Sequence, residues 1–287
     1  VIILNIRRSI SFTILFFMML SVLVSCYQSH KRELDLAYTL AESKPDSALA
    51  FLNRINQGKL SDKDMAKYAL IYYMAQDKSG LDVDNDSLIR IAYDWYGEHQ
   101  DDSLYASSLY YMGKCFLLND SMEQAKSCLE KSYSISDSLH NMNLICLALD
   151  KLIEVEEQLA PYKALNYAKA LVKMYDSMAN VTIYNKVAAR LRLGENFFYV
   201  DSLQHALEEE RKAYRMAMKA GDSNLLSYVR QNLASTFEEM GEKDSCLYYA
   251  RLAYDLNAAN RFSCLLTLAS AYISVDSLNQ AFSLLKQ

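Results

Sequence analysis

Seven glycines and two prolines in 287 residues are too few breakers for a turn-rich sandwich, a small barrel or a low-complexity chain. The shortage favours helices. Motifs that carry chemistry are also missing: there is no GxSxG, HExxH, GxGxxG or glycine-rich phosphate loop, and no CxxC or Cys/His cluster at metal-ligand spacing. Four histidines, His30, His99, His140 and His205, fall in different segments, at turns or exposed helix starts, and read as solvated side chains. The acidic runs Glu208-Glu209-Glu210 and Glu238-Glu239 read as helix faces rather than acid/base pairs. No catalytic residue, metal or cofactor is therefore assigned. What remains is the composition of a folded protein, with 52% hydrophobic and 23% charged residues and a mean hydropathy of -0.09. Its length admits one domain, two domains or a solenoid.

The first 26 residues differ from the rest. Arg7 and Arg8 precede an apolar stretch from Ile10 to Val24, broken only by Ser11, Thr13 and Ser21, with no acidic residue. About 15 apolar residues are fewer than the ~20 a spanning helix needs, so residues 1-25 are expected to be a signal peptide rather than a permanent span. The stretch ends in Leu23-Val24-Ser25-Cys26, which resembles a bacterial lipobox, and the resemblance implies that Cys26 carries the lipid of a membrane anchor, palmitate among its chains. Residues 26-30 would then be the lipidated N-terminus and linker. The basic segment after Cys26 has no acidic cluster of the kind that a resemblance to Bacteroidetes lipoproteins associates with surface export, so a periplasm-facing anchor in the cell envelope is expected. Cleavage removes two of the 30 basic residues and none of the 35 acidic ones, leaving a net charge of −7. That balance disfavours nucleic acid as a partner. The five other cysteines, Cys115, Cys128, Cys146, Cys246 and Cys264, are an odd count for a disulfide framework and read as small buried residues, with a Cys115–Cys128 bridge left as an option in an oxidising compartment.

Internal repetition is the strongest signal. From Ala106 the chain places Leu109, Met112-Gly113, Phe116, Ala125, Leu129 and Ser132 at steps of 3, 1, 3, 9, 4 and 3. This spacing resembles the tetratricopeptide repeat, in which two antiparallel helices pack through small residues at the closest approach and large apolar ones around it. Gly113 and Ala125 form the expected close approach, and Asn119-Asp120-Ser121 the turn, with Asp or Ser as side-chain cap. The pattern returns at Leu193-Gly194, Phe197, Ala206 and Ala213, with Glu210 where an apolar residue belongs, and at Leu233-Ala234, Phe237, Cys246, Ala250 and Ala253, turning over Gly241 to Ser245. A last copy has Leu265, Leu268-Ala269, Tyr272, Ala281 and Leu285, and a weaker one has Leu152, Val155, Ala164, Ala168 and Leu171 after Pro161, where Lys151-Leu152 departs from the apolar-small pair. Two upstream hairpins follow from periodicity, one around 36-48 and a longer-looped one around 65-88. Asp-Ser turns are expected at 46, 86, 120, 201, 244 and 276, with Pro161 filling the gap, about 40 residues apart.

The expected fold is thus all-α, an α-α superhelix or tetratricopeptide-like solenoid of about six to seven helical hairpins over residues 31-287. The last copy lacks a polar capping helix, so the chain is expected to continue past Gln287. In such a solenoid the first helices line a concave groove suited to an extended peptide or a partner's helix. Positions flanking their packing residues give the groove candidates Tyr110, Lys114, Glu156, Glu195, Phe198, Tyr199, Tyr228, Gln231 and Glu238. The Lys and Asn set with which some tetratricopeptide domains clamp a C-terminal carboxylate is not reproduced. Three functions remain in view. The first is a lipid-anchored periplasmic scaffold binding a protein or peptide; the second is the sensor half of a membrane-bound transcriptional regulator whose spanning and helix-turn-helix parts lie elsewhere. The third is an enzyme or carbohydrate-uptake component, which would require a polar pocket with perturbed carboxylates or a sugar-stacking Trp, and the only Trp is Trp95.

Overall fold

The computed structural model describes residues 30-81, 85-99, 101-256 and 258-286. The signal-peptide segment and Cys26 lie outside them. Two compact units meet at His140 and Asn141. The first holds α1 (30-43), α2 (Pro45–Leu52), α3 (Asp62–Lys78), α4 (Ser87–His99), α5 (Asp102–Leu118) and α6 (Met122–Ser138). The second holds α7 (Met142–Leu159), α8 (Pro161–Ser177), α9 (Ile183–Tyr199), α10 (Leu203–Ala220), α11 (Ser223–Glu239), α12 (Lys243–Tyr254), α13 (Arg261–Ser274) and α14 (Leu278–Leu285). No strand occurs among the described residues. The helices pair as three antiparallel hairpins in the first unit and four in the second, each helix packing on its neighbours in sequence within its unit.

Small residues set the spacing inside each hairpin. A Cβ built on Gly113 would lie 2.7 Å from Leu129 Cγ and 3.3 Å from the Ala125 carbonyl oxygen, so α5 and α6 approach at the expected pair. Leu109, Met112 and Leu129 are fully buried around that contact, as are Val187, Leu233 and Ala234 in the second unit. Each large aliphatic side chain so buried contributes roughly 1.5–3 kcal/mol. All five cysteines outside the signal segment are buried free thiols, and Cys115 and Cys128 are not bridged.

The turns close by backbone rather than by side-chain caps. Asp120, Asp201 and Asp276 sit in the left-handed region at φ 53°, 57° and 58°, and Gly80 and Gly241 take the same place in two other hairpins at 72° and 75°. In each case the next N–H reaches back to a carbonyl five residues earlier: Ser121 to Phe116 (2.8 Å), Ser202 to Phe197 (2.9 Å), Ser277 to Tyr272 (2.8 Å), Glu242 to Phe237 (2.9 Å) and Leu81 to Gln76 (3.0 Å). With the companion bond from the left-handed residue itself, this is the Schellman closure. The expectation of Asp or Ser side-chain caps at these turns is corrected: Ser121, Ser202 and Ser277 make none, and the Asp serves as a residue that tolerates positive φ. Asp46-Ser47 and Asp244-Ser245 are not turns at all, since both lie inside first helical turns. Pro161 occupies the first position of α8, where its missing N–H costs nothing.

Candidate functional site

Three depressions of the second unit use α9. The largest, about 610 Å³, lies between α7, α8 and α9 and is lined by Asp150, Lys151, Glu154, Glu157, Tyr175, Asn185 and Arg192, with Cys146 in its wall. A second of about 200 Å³ lies between α9 and α11, with Tyr184, Leu191, Arg192, Glu195, Tyr228 and Asn232. A third of about 190 Å³ is lined by Glu195, Phe198, Tyr199, Glu210, Asn232, Ser235 and Thr236. Ala188 and Arg192 belong to the first two, and Glu195 and Asn232 to the last two. Shared walls make the three a single line of depressions following one helix.

Charge inside this line is unbalanced toward the negative. Lys151 Nζ lies 2.7 Å from Glu154 and 3.7 Å from Asp150; burial pulls its pKa down, but these carboxylates outweigh that and hold it above the ordinary value. Arg192 lies 3.5 Å from Glu157 and 3.9 Å from Glu195. Burial raises the Glu157 pKa, opposed by Arg192 and by the Asn196 amide, which donates at 2.9 Å. Two cations therefore face five carboxylates, Asp150, Glu154, Glu157, Glu195 and Glu210. Glu210 is 1% exposed, and burial pushes its carboxyl up to about 7 although the Thr236 hydroxyl donates to Oε1 at 2.8 Å. Burial also pushes the Cys146 thiol up to about 11 and the Tyr175 hydroxyl up to about 12, so both are neutral walls.

No protein-family model matches the chain, and no curated protein matches it by sequence. Solved structures do. The apo form of RapI superposes with a TM-score of 0.73 at 14% identity, over 90% of this chain and 74% of that one. The fold is of the tetratricopeptide-repeat type. A signal-transduction ATPase with numerous domains and a tetratricopeptide repeat sensor, PH0952 from Pyrococcus horikoshii, gives 0.67 at 13% identity; the match covers 89% of this chain and 39% of that one. NprR in complex with its cognate peptide NprX gives 0.62 at 14% identity, over 89% and 76%.

Within that tetratricopeptide frame the sequence-derived groove residues separate. Glu195, Phe198, Tyr199 and Tyr228 line the depressions. Tyr110 and Glu156 do not present a surface: both are buried, Tyr110 with its ring edge-on to Tyr111 at 4.9 Å, because these positions turn into the core of their helix pairs. Their assignment to the groove is corrected accordingly. Lys114 is half-buried and ion-paired with Asp77 of α3, in the first unit. Gln231 and Glu238 reach across to α13, where Gln231 accepts from Asn260 at 2.8 Å and Glu238 accepts from Ser270 at 2.5 Å, so they join consecutive repeats. The sequence reading missed Lys151, Arg192, Glu210 and Asn232. Two of these were visible as faults in the repeat: Lys151 stands at the pair that breaks the apolar-small rule, and Glu210 stands where an apolar residue belongs. Trp95, the one sugar-stacking candidate, stacks instead on His99 at 3.7 Å in the first unit.

Proposed function

We propose that this chain is a lipid-anchored, periplasm-facing scaffold that binds an extended protein or peptide segment along α9 of its second unit. The observation that carries the reading is the run of three depressions joined through Arg192, Glu195 and Asn232, which suits a ligand longer than one side chain. Aromatic Tyr184, Tyr199 and Tyr228 stand exposed along it as contact area, while amides and carboxylates supply orientation. NprR with its cognate peptide shows that a solenoid of this fold can hold a peptide. Binding is favoured over catalysis because the Glu210 carboxyl, pushed up to about 7 by burial, is tied to the Thr236 hydroxyl, and its cavity wall carries no histidine, cysteine or lysine to complete a catalytic set. The anchor at Cys26 is the complementary part of the proposal, resting on the lipobox resemblance.

A photo-crosslinking residue placed at Tyr228 should capture a polypeptide from envelope fractions, and Arg192→Glu should abolish capture. A probe at Tyr162, 72% exposed on α8 outside the three depressions, should capture nothing. Equal capture from both positions refutes the groove. Cys26→Ser should move the chain out of the membrane fraction and change its mass; an unchanged fraction and mass refute the anchor. A sensor half of a larger regulator is a second reading, favoured by PH0952, in which the same fold is a sensor within a longer chain.

A further inference from the structure

Glu210 is a buried carboxylate of the second unit, 1% exposed. It emerges from α10 beneath Gly194 of α9, and a Cβ on Gly194 would stand 3.1 Å from Glu210 Cγ, so the missing Cβ makes room for the stem of the carboxylate. In the first unit the same sixteen-residue step joins Gly113 to Leu129, an ordinary apolar knob. Replacing that knob by a carboxylate costs stability unless both oxygens are satisfied. Oε1 has Thr236, whereas Oε2 is buried and has no hydrogen-bond partner. Its neighbour Glu209 differs, since it holds Arg190 at 2.9 Å and Lys212 as well. Glu210 lies in the wall of the 190 Å³ cavity, which also presents Glu195, Phe198 and Tyr199. Glu195 accepts from Asn232 at 3.0 Å and is 3.9 Å from Arg192, whose guanidinium is also engaged by Glu157.

We propose that this cavity takes the ammonium or guanidinium head of a basic side chain carried by the extended ligand, with Glu210 Oε2 as its buried acceptor. The assignment deepens the peptide-binding reading and rests on it. Three features of the cavity agree. It holds carboxylates from two helices and no cation in its wall, so a ligand cation supplies the missing charge. Phe198 and Tyr199 line it, and aromatic rings attract ammonium and guanidinium groups. At about 190 Å³ it is smaller than the ~300–1,000 Å³ typical of whole-ligand pockets, which fits the tip of one side chain. A cation entering must find Glu210 ionised, so binding releases a proton wherever the free carboxyl is protonated, and affinity rises with pH. The groups around Glu210 in this wall are Glu195 and Tyr199 of α9 and Asn232, Ser235 and Thr236 of α11; burial is what chiefly raises the Glu210 carboxyl, and Glu195, the one other carboxylate, adds to the rise.

The test uses the full chain and four capped tripeptides, acetyl-Gly-X-Gly-amide with X lysine, arginine, norleucine or glutamate, titrated by calorimetry at pH 5.5 and pH 8. The lysine or arginine peptide should bind at least tenfold tighter than the norleucine peptide at pH 8, and about tenfold tighter at pH 8 than at pH 5.5. Glu210→Gln should erase the pH dependence and cost at least tenfold at pH 8. Glu210→Leu should do the same, and its unreduced melting temperature would exclude unfolding as the cause. Equal affinity for norleucine and lysine, pH-independent binding, or a Glu210→Gln chain that binds as the wild type does would each overturn the assignment. Capture by the Tyr228 crosslinker together with any of those results retains the peptide groove and removes only the basic side chain from it. Loss of crosslinking with lysine binding intact removes the groove and keeps the cavity.

Discussion

In the first unit, consecutive first helices are tied by ion pairs: Lys67 of α3 to Asp35 of α1, Lys78 to Glu42, and Lys114 of α5 to Asp77 of α3. In the second unit the equivalent ties run from neutral donors to carboxylates: Asn196 to Glu157 (2.9 Å), Asn232 to Glu195 (3.0 Å) and Ser270 to Glu238 (2.5 Å). Both devices join neighbouring repeats, but they leave different fields behind. A lysine cancels the carboxylate it holds; an amide or hydroxyl holds it and leaves its charge in place. In the second unit a single guanidinium, Arg192, is shared between Glu157 at 3.5 Å and Glu195 at 3.9 Å, so its carboxylates are positioned but only partly neutralised, and the depressions along α9 lie among them. Identical helical hairpins can thus be inert on one stretch and receptive on another through the choice of donor.

The sharpest way to break this contrast is to exchange the two sixteen-step partners. Leu129→Glu places a carboxylate against Gly113 in a fully buried, apolar site and should cost about 3–5 kcal/mol, read as the midpoint of denaturant unfolding. Glu210→Leu should instead gain stability, and the gain should depend on pH. Folding raises the Glu210 carboxyl from the ordinary 4.5 to about 7, so the folded chain holds more protons than the unfolded one between those values. Its contribution to stability is least unfavourable below pH 4.5 and worsens as pH rises to about 7, by an amount of order 3 kcal/mol. Unfolding of the wild type and of Glu210→Leu at pH 5 and pH 8 measures the difference directly; parallel curves would mean that the carboxylate is solvated.

Salt sharpens the comparison at lower amplitude. The lysine ties are half-exposed, so at 1 M salt, where screening acts within ~3 Å, α3 and α5 should lose roughly 0.5–1 kcal/mol of hydrogen-exchange protection while α9 and α11 lose less. The smallest effect belongs to the turns. Asp201→Gly relieves the positive φ but adds unfolded-state freedom, and the balance should shift stability by only about 0.5 kcal/mol; a loss above 2 kcal/mol would show that the Asp side chain does more than tolerate the turn.

The array was legible because its rule is steric and recurs. Small residues at Gly113, Ala125, Ala206, Ala234 and Ala250 can be read from spacing alone, and each is buried at a helix contact. The turns at Asp120, Asp201 and Asp276 were located while Asp46-Ser47 and Asp244-Ser245 proved to be helical, and the mechanism was misread, since Asp is equally at home as a cap and as a left-handed residue, and only backbone angles separate the two. The site was legible in part. Glu195, Phe198, Tyr199 and Tyr228 followed from helix phase, whereas Tyr110 and Glu156 share that phase and are buried, because the local rotation of each pair decides which flank faces outward. Lys151 and Glu210 stand in the sequence as imperfections of the repeat. A repeat that sacrifices its own packing rule at a buried position is showing where packing is not the only demand.

The backbone closure of the turns has a kinetic consequence. Because the hairpins α5/α6, α9/α10, α11/α12 and α13/α14 are each joined by a connection of a few residues that closes through its own carbonyls, most of their contacts are near in sequence, and loops of this length form within tens of nanoseconds. Low contact order of this kind favours fast folding that spreads from neighbour to neighbour. A chain that emerges N-terminus first can therefore complete α5 and α6 while α9 is still unmade, and a sixteen-residue delay separates the appearance of Gly194 from that of Glu210, the residue it admits.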